Sequence, residues 1–89
     1  MKDKKYRDLL LQTLKQEKQD TLGDILKYVR KCSFMTQKEL GEELGITRQQ
    51  IQKYEYNIFK PSPKRLQEIL NICDDVYMDF YTLIKNYYI

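Results

Sequence analysis

The segment TQKELGEELGITRQQIQKYE, Thr36 to Glu55, holds two short helices and the bend between them. Thr36 can cap a helix, and Glu39, three positions on, completes a capping-box pair. Leu40 and Leu44 then share one face, and Gly45 ends the helix because glycine accepts the left-handed backbone that a tight turn needs. Ile46 plugs the corner, Thr47 caps a second helix, and Ile51 and Tyr54 turn inward from it. Two helices that cross this closely need a small residue at their contact, which Gly41 supplies. One glycine would be weak evidence. Gly41 and Gly45 in register with Leu40, Leu44, Ile46, Ile51 and Tyr54 specify a helix-turn-helix.

Outward from this unit the apolar spacing stays helical. Upstream, Thr21 can cap a helix with Asp24 in its first turn, and Leu22, Ile25, Leu26, Val29 and Cys32 form its stripe. Earlier still, Tyr6, Leu9, Leu10 and Leu14 predict another helix over about residues 4–16, joined by a polar link at 17–20. Downstream, the chain leaves regular structure near Asn57 to Lys60. Ser62 and Pro63 open the next helix, with Leu66, Ile69, Leu70 and Cys73 on its apolar face. Asp74 and Asp75 break that pattern. A last helix is expected over Met78 to Asn86, with Phe80, Leu83, Ile84 and Tyr87 on one side. The expected fold is all-α, divided into a helix and link at 1–20 and a five-helix domain at 21–89.

Composition narrows the function. The 89 residues suffice for one small domain and leave no room for a separate catalytic one. The absence of histidine removes the commonest general base and zinc ligand, so an enzyme is not expected. No cofactor or metal site is expected either: Cys32 and Cys73 continue apolar faces and read as core thiols. Glu39, Glu42 and Glu43 read as solvated charge. No apolar run approaches a membrane span, and the charged start lacks the apolar core of a signal peptide, so the expected location is the cytoplasm. Charge is unevenly spread. Between Thr47 and Arg65, Arg48, Lys53, Lys60, Lys64 and Arg65 face only Glu55, a net of +4. From Leu66 to the end, Lys85 faces Glu68, Asp74, Asp75 and Asp79, a net of −3. The middle suits a polyanion and the C-terminal part repels one.

With these residues in place, the chain resembles the phage-repressor and Cro type of helix-turn-helix protein, the XRE family, over Leu22 to about Ile84. The likeness includes the Thr36-Gln37 opening, the Glu39-Leu40 pair, the Lys-Tyr-Glu closing of the second helix and the Lys-Pro-Ser turn at Lys60 to Ser62. The resemblance implies a lambda-repressor-like domain whose third helix enters the major groove of double-stranded DNA. It implies that Gln37 bonds a phosphate and braces that helix, with Thr47, Arg48, Gln49 and Gln50 at its exposed start. Residue chemistry agrees: arginine pairs with the two acceptors of guanine, and glutamine with the acceptor and donor of adenine. Lys53 is expected to meet backbone, with Lys60, Lys64 and Arg65 as further phosphate contacts.

Three departures from the family pattern stand out. Asn57 replaces a glycine after the recognition helix, and asparagine also accepts a left-handed backbone. Ile58 and Phe59 stand where basic or polar residues are usual, and are expected to fold under the loop into the core. The N-terminal helix is additional. The expected function is a transcriptional regulator of the repressor kind, binding a palindromic operator as a homodimer. Its pairing surface is expected on the C-terminal helix with Phe80, Tyr81, Ile84 and Tyr88, or else on the N-terminal helix. One alternative is an antitoxin-like or phage regulator that also binds a protein partner through the extra helix. Another is a helix-turn-helix used only for protein interaction.

Overall fold

The structure, a computed structural model, describes residues 21–73 and 79–89. Within them the chain forms five α-helices and no strand: α1 (Leu22–Cys32), α2 (Gln37–Leu44), α3 (Arg48–Glu55), α4 (Pro63–Cys73) and α5 (Phe80–Tyr87). The fold is all-α, as the spacing predicts. The expected helix over 4–16, its link and the pair Asp74–Asp75 lie outside the described residues.

Short polar side chains set where each helix starts. The Thr21 hydroxyl accepts from the Asp24 amide at 3.2 Å while the Asp24 carboxylate accepts from the Thr21 amide at 3.3 Å. Thr36 and Glu39 repeat this reciprocal box at 3.0 and 2.8 Å. Each box satisfies two backbone donors that the first turn leaves without helical partners. Ser62 Oγ accepts from the Arg65 amide at 3.1 Å and opens α4. The last helix begins at Phe80, later than expected, because Asp79 is its cap: in extended backbone, its carboxylate accepts from the amide and hydroxyl of Thr82 at 3.2 and 3.0 Å.

The core gathers the inward faces of all five helices, with Val29, Leu40, Ile51, Leu66, Ile69, Leu70 and Leu83 among its buried residues. α3 packs on α2 and α1, α4 covers α1 and α2, and α5 packs on α4. Ser33 fastens the far end of α1, its single hydroxyl proton shared between the carbonyls of Cys73 at 2.7 Å and Val29 at 3.1 Å. Cys32 and Cys73 are both buried, where their apolar spacing put them.

Two expectations about apolar residues are corrected. Ile58 and Phe59 do not enter the core; they are 61% and 48% exposed. The reason is the turn that precedes them. Asn57 is left-handed (φ 61°), and the amides of Ile58 and Phe59 both fold back onto the Lys53 carbonyl, at 2.9 and 3.3 Å. Pro61 takes the buried place under the loop instead. On α5, Phe80, Ile84 and Tyr88 are half-buried against the core, so of the four expected pairing residues only Tyr81 stands well clear, 77% exposed. Among the described residues, no helix is long and apolar enough to cross a membrane.

Candidate nucleic-acid interface

α3 is held at both ends and left open along its outer side. At its start, Gly45 adopts φ 72°, and the Ile46 amide donates to the Gly41 carbonyl at 2.9 Å, closing α2. Gly41 is the small contact the sequence called for, and what it touches is backbone. A Cβ there would lie 2.8 Å from the Ile46 carbonyl oxygen and 3.3 Å from the Thr47 carbonyl. The Thr47 hydroxyl accepts from the Gln50 amide at 3.1 Å and caps α3. Thr47 thus commits one lone pair to the helix and keeps its methyl and its hydroxyl proton for other contacts.

The far end of α3 is fixed by an ion pair that the sequence reading missed, together with Gln37, which it named as a brace. The Glu55 carboxylate is buried and accepts from Arg30 of α1, Nε at 2.6 Å and Nη2 at 3.1 Å. Arg30 Nη1 also donates to the Met35 carbonyl at 2.8 Å, just before α2. Gln37 Nε2 completes the cluster, donating to Glu55 Oε1 at 3.1 Å. A forked guanidinium on a carboxylate fixes angle as well as distance, so α1, the start of α2 and the end of α3 are keyed together. Arg30 follows Leu26 by four residues and so borders the apolar stripe of α1; that was the available signal. Gly23 was also missed. A Cβ on it would collide with the Glu55 carbonyl oxygen and come within 2.8 Å of Asn57 Oδ1. Asn57 does more than accept a left-handed turn: its Oδ1 accepts from the Gly23 amide at 2.9 Å and its Nδ2 donates to Thr21 Oγ1 at 2.9 Å.

Between these anchors, Ile51, Tyr54 and Glu55 face inward, Arg48, Gln49 and Lys53 are exposed, and Gln50 is half-buried. The first turn of α3 carries no acidic residue, so the positive end of the helix dipole is not neutralised there. The remaining cations divide. Lys64 is exposed at the start of α4. Lys60 Nζ donates to the Tyr87 carbonyl at 2.6 Å and lies 4.9 Å from the Tyr88 ring centre. Arg65 donates to the Leu44 carbonyl at 3.3 Å and pairs with Glu68 at 3.4 Å, so it is partly spent on closing α2. Gln37, half-buried beside Glu55, sits at the first position of α2.

This geometry of a short helix, a left-handed glycine and a second helix propped outward agrees with the comparisons. The helix-turn-helix family profile matches residues 26–80, well over half of the chain. The chain belongs to the XRE-type helix-turn-helix family. Two curated relatives of this helix-turn-helix protein are an uncharacterized HTH-type transcriptional regulator of Sinorhizobium medicae (strain WSM419) and one of Rhizobium meliloti (strain 1021). Each is 45% identical over 51 residues, which is 57% of this chain and 37% of the relative. The helix-turn-helix chain thus spans a little over a third of the length of these relatives. No solved structure matches it.

Proposed function

We propose that this domain is a sequence-specific, double-stranded DNA-binding transcriptional regulator that reads the major groove with α3. The observation that carries the reading is the outer face of α3 at its start. Arg48 and Gln49 stand exposed beyond a rigid turn, at an acid-free helix end. Both side chains are of the kind that reads base edges by paired hydrogen bonds. Gln50 and the Thr47 methyl adjoin them. Lys53 and Lys64 serve phosphates on either side, Lys60 adds its charge from the loop, and Gln37 donates its second amide proton to a phosphate while the first stays on Glu55. The relatives' description as transcriptional regulators supports the same reading.

A single recognition helix covers few base pairs, and one half-site rarely discriminates enough. The protein therefore binds as a homodimer on a palindrome with half-sites about 34 Å apart, and it represses by occupying promoter DNA in the cytoplasm.

Selection of binding sequences from random duplexes, followed by titration, tests this. Arg48→Ala and Gln49→Ala are each expected to lose about 1–3 kcal/mol of specific affinity while binding to unrelated DNA stays nearly unchanged. Two variants that bind the selected sequence like the parent protein would remove α3 as the reading helix.

A further inference from the structure

The turn after α3 puts an aromatic ring beside a cation of the recognition helix. Phe59 follows the left-handed Asn57, and its amide and that of Ile58 both bond the Lys53 carbonyl. The backbone thereby brings residue 59 back over the residue it bonds, and the Lys53 ammonium lies 5.2 Å from the centre of the Phe59 ring. Phe59 is half-exposed rather than loose: it also lines a small cavity of about 90 Å³ with Leu22, Tyr54, Asn57, Lys60 and Pro61. A ring so placed attracts an ammonium through the negative face of its π system without neutralising it. A carboxylate at position 59 would hold Lys53 more strongly but cancel its charge toward DNA.

We infer that Phe59 is a positioning residue for DNA binding: it holds the Lys53 ammonium at the end of the recognition helix for a backbone phosphate. The inference rests on the proposed reading of α3. A lysine side chain loses considerable rotamer freedom when it is fixed, and a ring that restrains it beforehand lowers that loss on binding. An apolar residue in a position where a cation would otherwise touch phosphate then has a use: it organises a cation supplied by the helix one turn earlier. A phenylalanine that merely shields the loop from water is the competing account. It predicts no dependence on Lys53.

The test is a double-mutant cycle on the 89-residue chain, read by titration with the selected duplex and an unrelated duplex over a salt series. Lys53→Ala should reduce the salt slope by roughly 0.9, the loss of one phosphate contact. Phe59→Leu keeps apolar bulk and removes the π face; it should weaken binding to both duplexes about two- to fivefold. In the Lys53→Ala background the same change should have no effect, and Phe59→Tyr should bind like the parent. In the free protein, the Lys53 ε-methylene proton resonances should lie upfield from ring current and return to ordinary positions in Phe59→Leu. An equal loss from Phe59→Leu with or without Lys53, no loss at all, or ordinary Lys53 resonances in the parent would each overturn the inference. Arg48→Ala separates the two levels. If it loses specificity while Lys53→Ala changes nothing, the positioning role fails and the reading of α3 stands; if neither matters, the reading itself has failed.

Discussion

Gly23 and Gly41 are pressed against backbone, whereas Gly45 faces open space with a left-handed φ. The three glycines should therefore fail for two different reasons when a side chain is added. Gly23→Ala and Gly41→Val force carbonyl groups of the packed neighbours apart, and such overpacking costs about 1–3 kcal/mol. Gly45→Ala meets nothing but must hold an L-residue in the left-handed region, at about 1–2 kcal/mol. Thermal or urea unfolding of the three variants checks this. An unchanged melting curve for Gly41→Val would argue against the crossing of α2 and α3 described here. Gly41 was legible because its partners, Ile46 and Thr47, lie within a few residues, and Gly45 because the turn that needs its left-handed backbone belongs to the same local pattern. Gly23 was not, since what it touches is the Glu55 carbonyl, 32 positions away, and no periodicity within α1 marks that approach. Ile58 and Phe59 misled for a related reason: their apolar character suggested burial, while the backbone turn set by Asn57 decided otherwise.

At the level of elements, four of the five helix starts were readable from single residues, the Asp79 cap was not, and the charged joint between helices was not. Thr21, Thr36, Thr47 and Ser62 cap where the sequence placed them, because a cap acts on amides two or three residues ahead. The Arg30–Glu55–Gln37 joint draws on three helices, and both charges would ordinarily be assigned to solvent. Removing one partner leaves the other buried without its counter-charge, so Arg30→Met is expected to cost about 3–5 kcal/mol. Adding Glu55→Leu should recover much of that loss, because the lone buried carboxylate is then gone. Urea titration of the single and double variants measures both steps; a single variant as stable as the parent would mean that the pair holds nothing.

A second joint clasps α5 to the loop after α3, where the Tyr88 hydroxyl donates to the Pro61 carbonyl at 2.5 Å beside Lys60. Burial, reinforced by proximity to Tyr54, pushes the Tyr88 phenol up from 10.0 to about 12. The folded state thus keeps the proton that the unfolded chain gives up near pH 10. This contribution to stability is intact below pH 10 and is lost as the pH rises toward 12. Tyr88→Phe should make the fall in stability between pH 10 and 12 shallower, as followed by circular dichroism at fixed urea. An equally steep fall in the variant would show that the Tyr88 proton plays no part.

At the scale of the whole molecule, charge is segregated only in the second half of the sequence, since residues 1–46 mix ten cations with eight acids. The basic segment from Thr47 to Arg65 includes the outer face of α3, and the acidic C-terminal part includes α5. A pairing surface on α5 would lie outside the basic segment, on a helix whose single charged residue is Lys85. With Phe80, Ile84 and Tyr88 turned toward the core, that surface centres on Tyr81, whose exposed neighbour one turn on in the helix is Lys85. A strip of this size falls well short of the roughly 800 Å² per partner typical of stable complexes. Pairing should then be weak in free protein and become strong only when two half-sites hold the copies close together, which raises the effective concentration of one for the other. Sedimentation should accordingly find a monomer at micromolar concentration and two copies on one palindromic duplex, and the second copy should bind more tightly than the first. Tyr81→Glu should abolish that cooperativity and leave affinity for an isolated half-site unchanged. A strict one-to-one complex on the palindrome at saturation would rule out the dimer. Should cooperativity instead survive Tyr81→Glu and vanish when residues 1–16 are deleted, the pairing surface would belong to the N-terminal stripe of Tyr6, Leu9, Leu10 and Leu14.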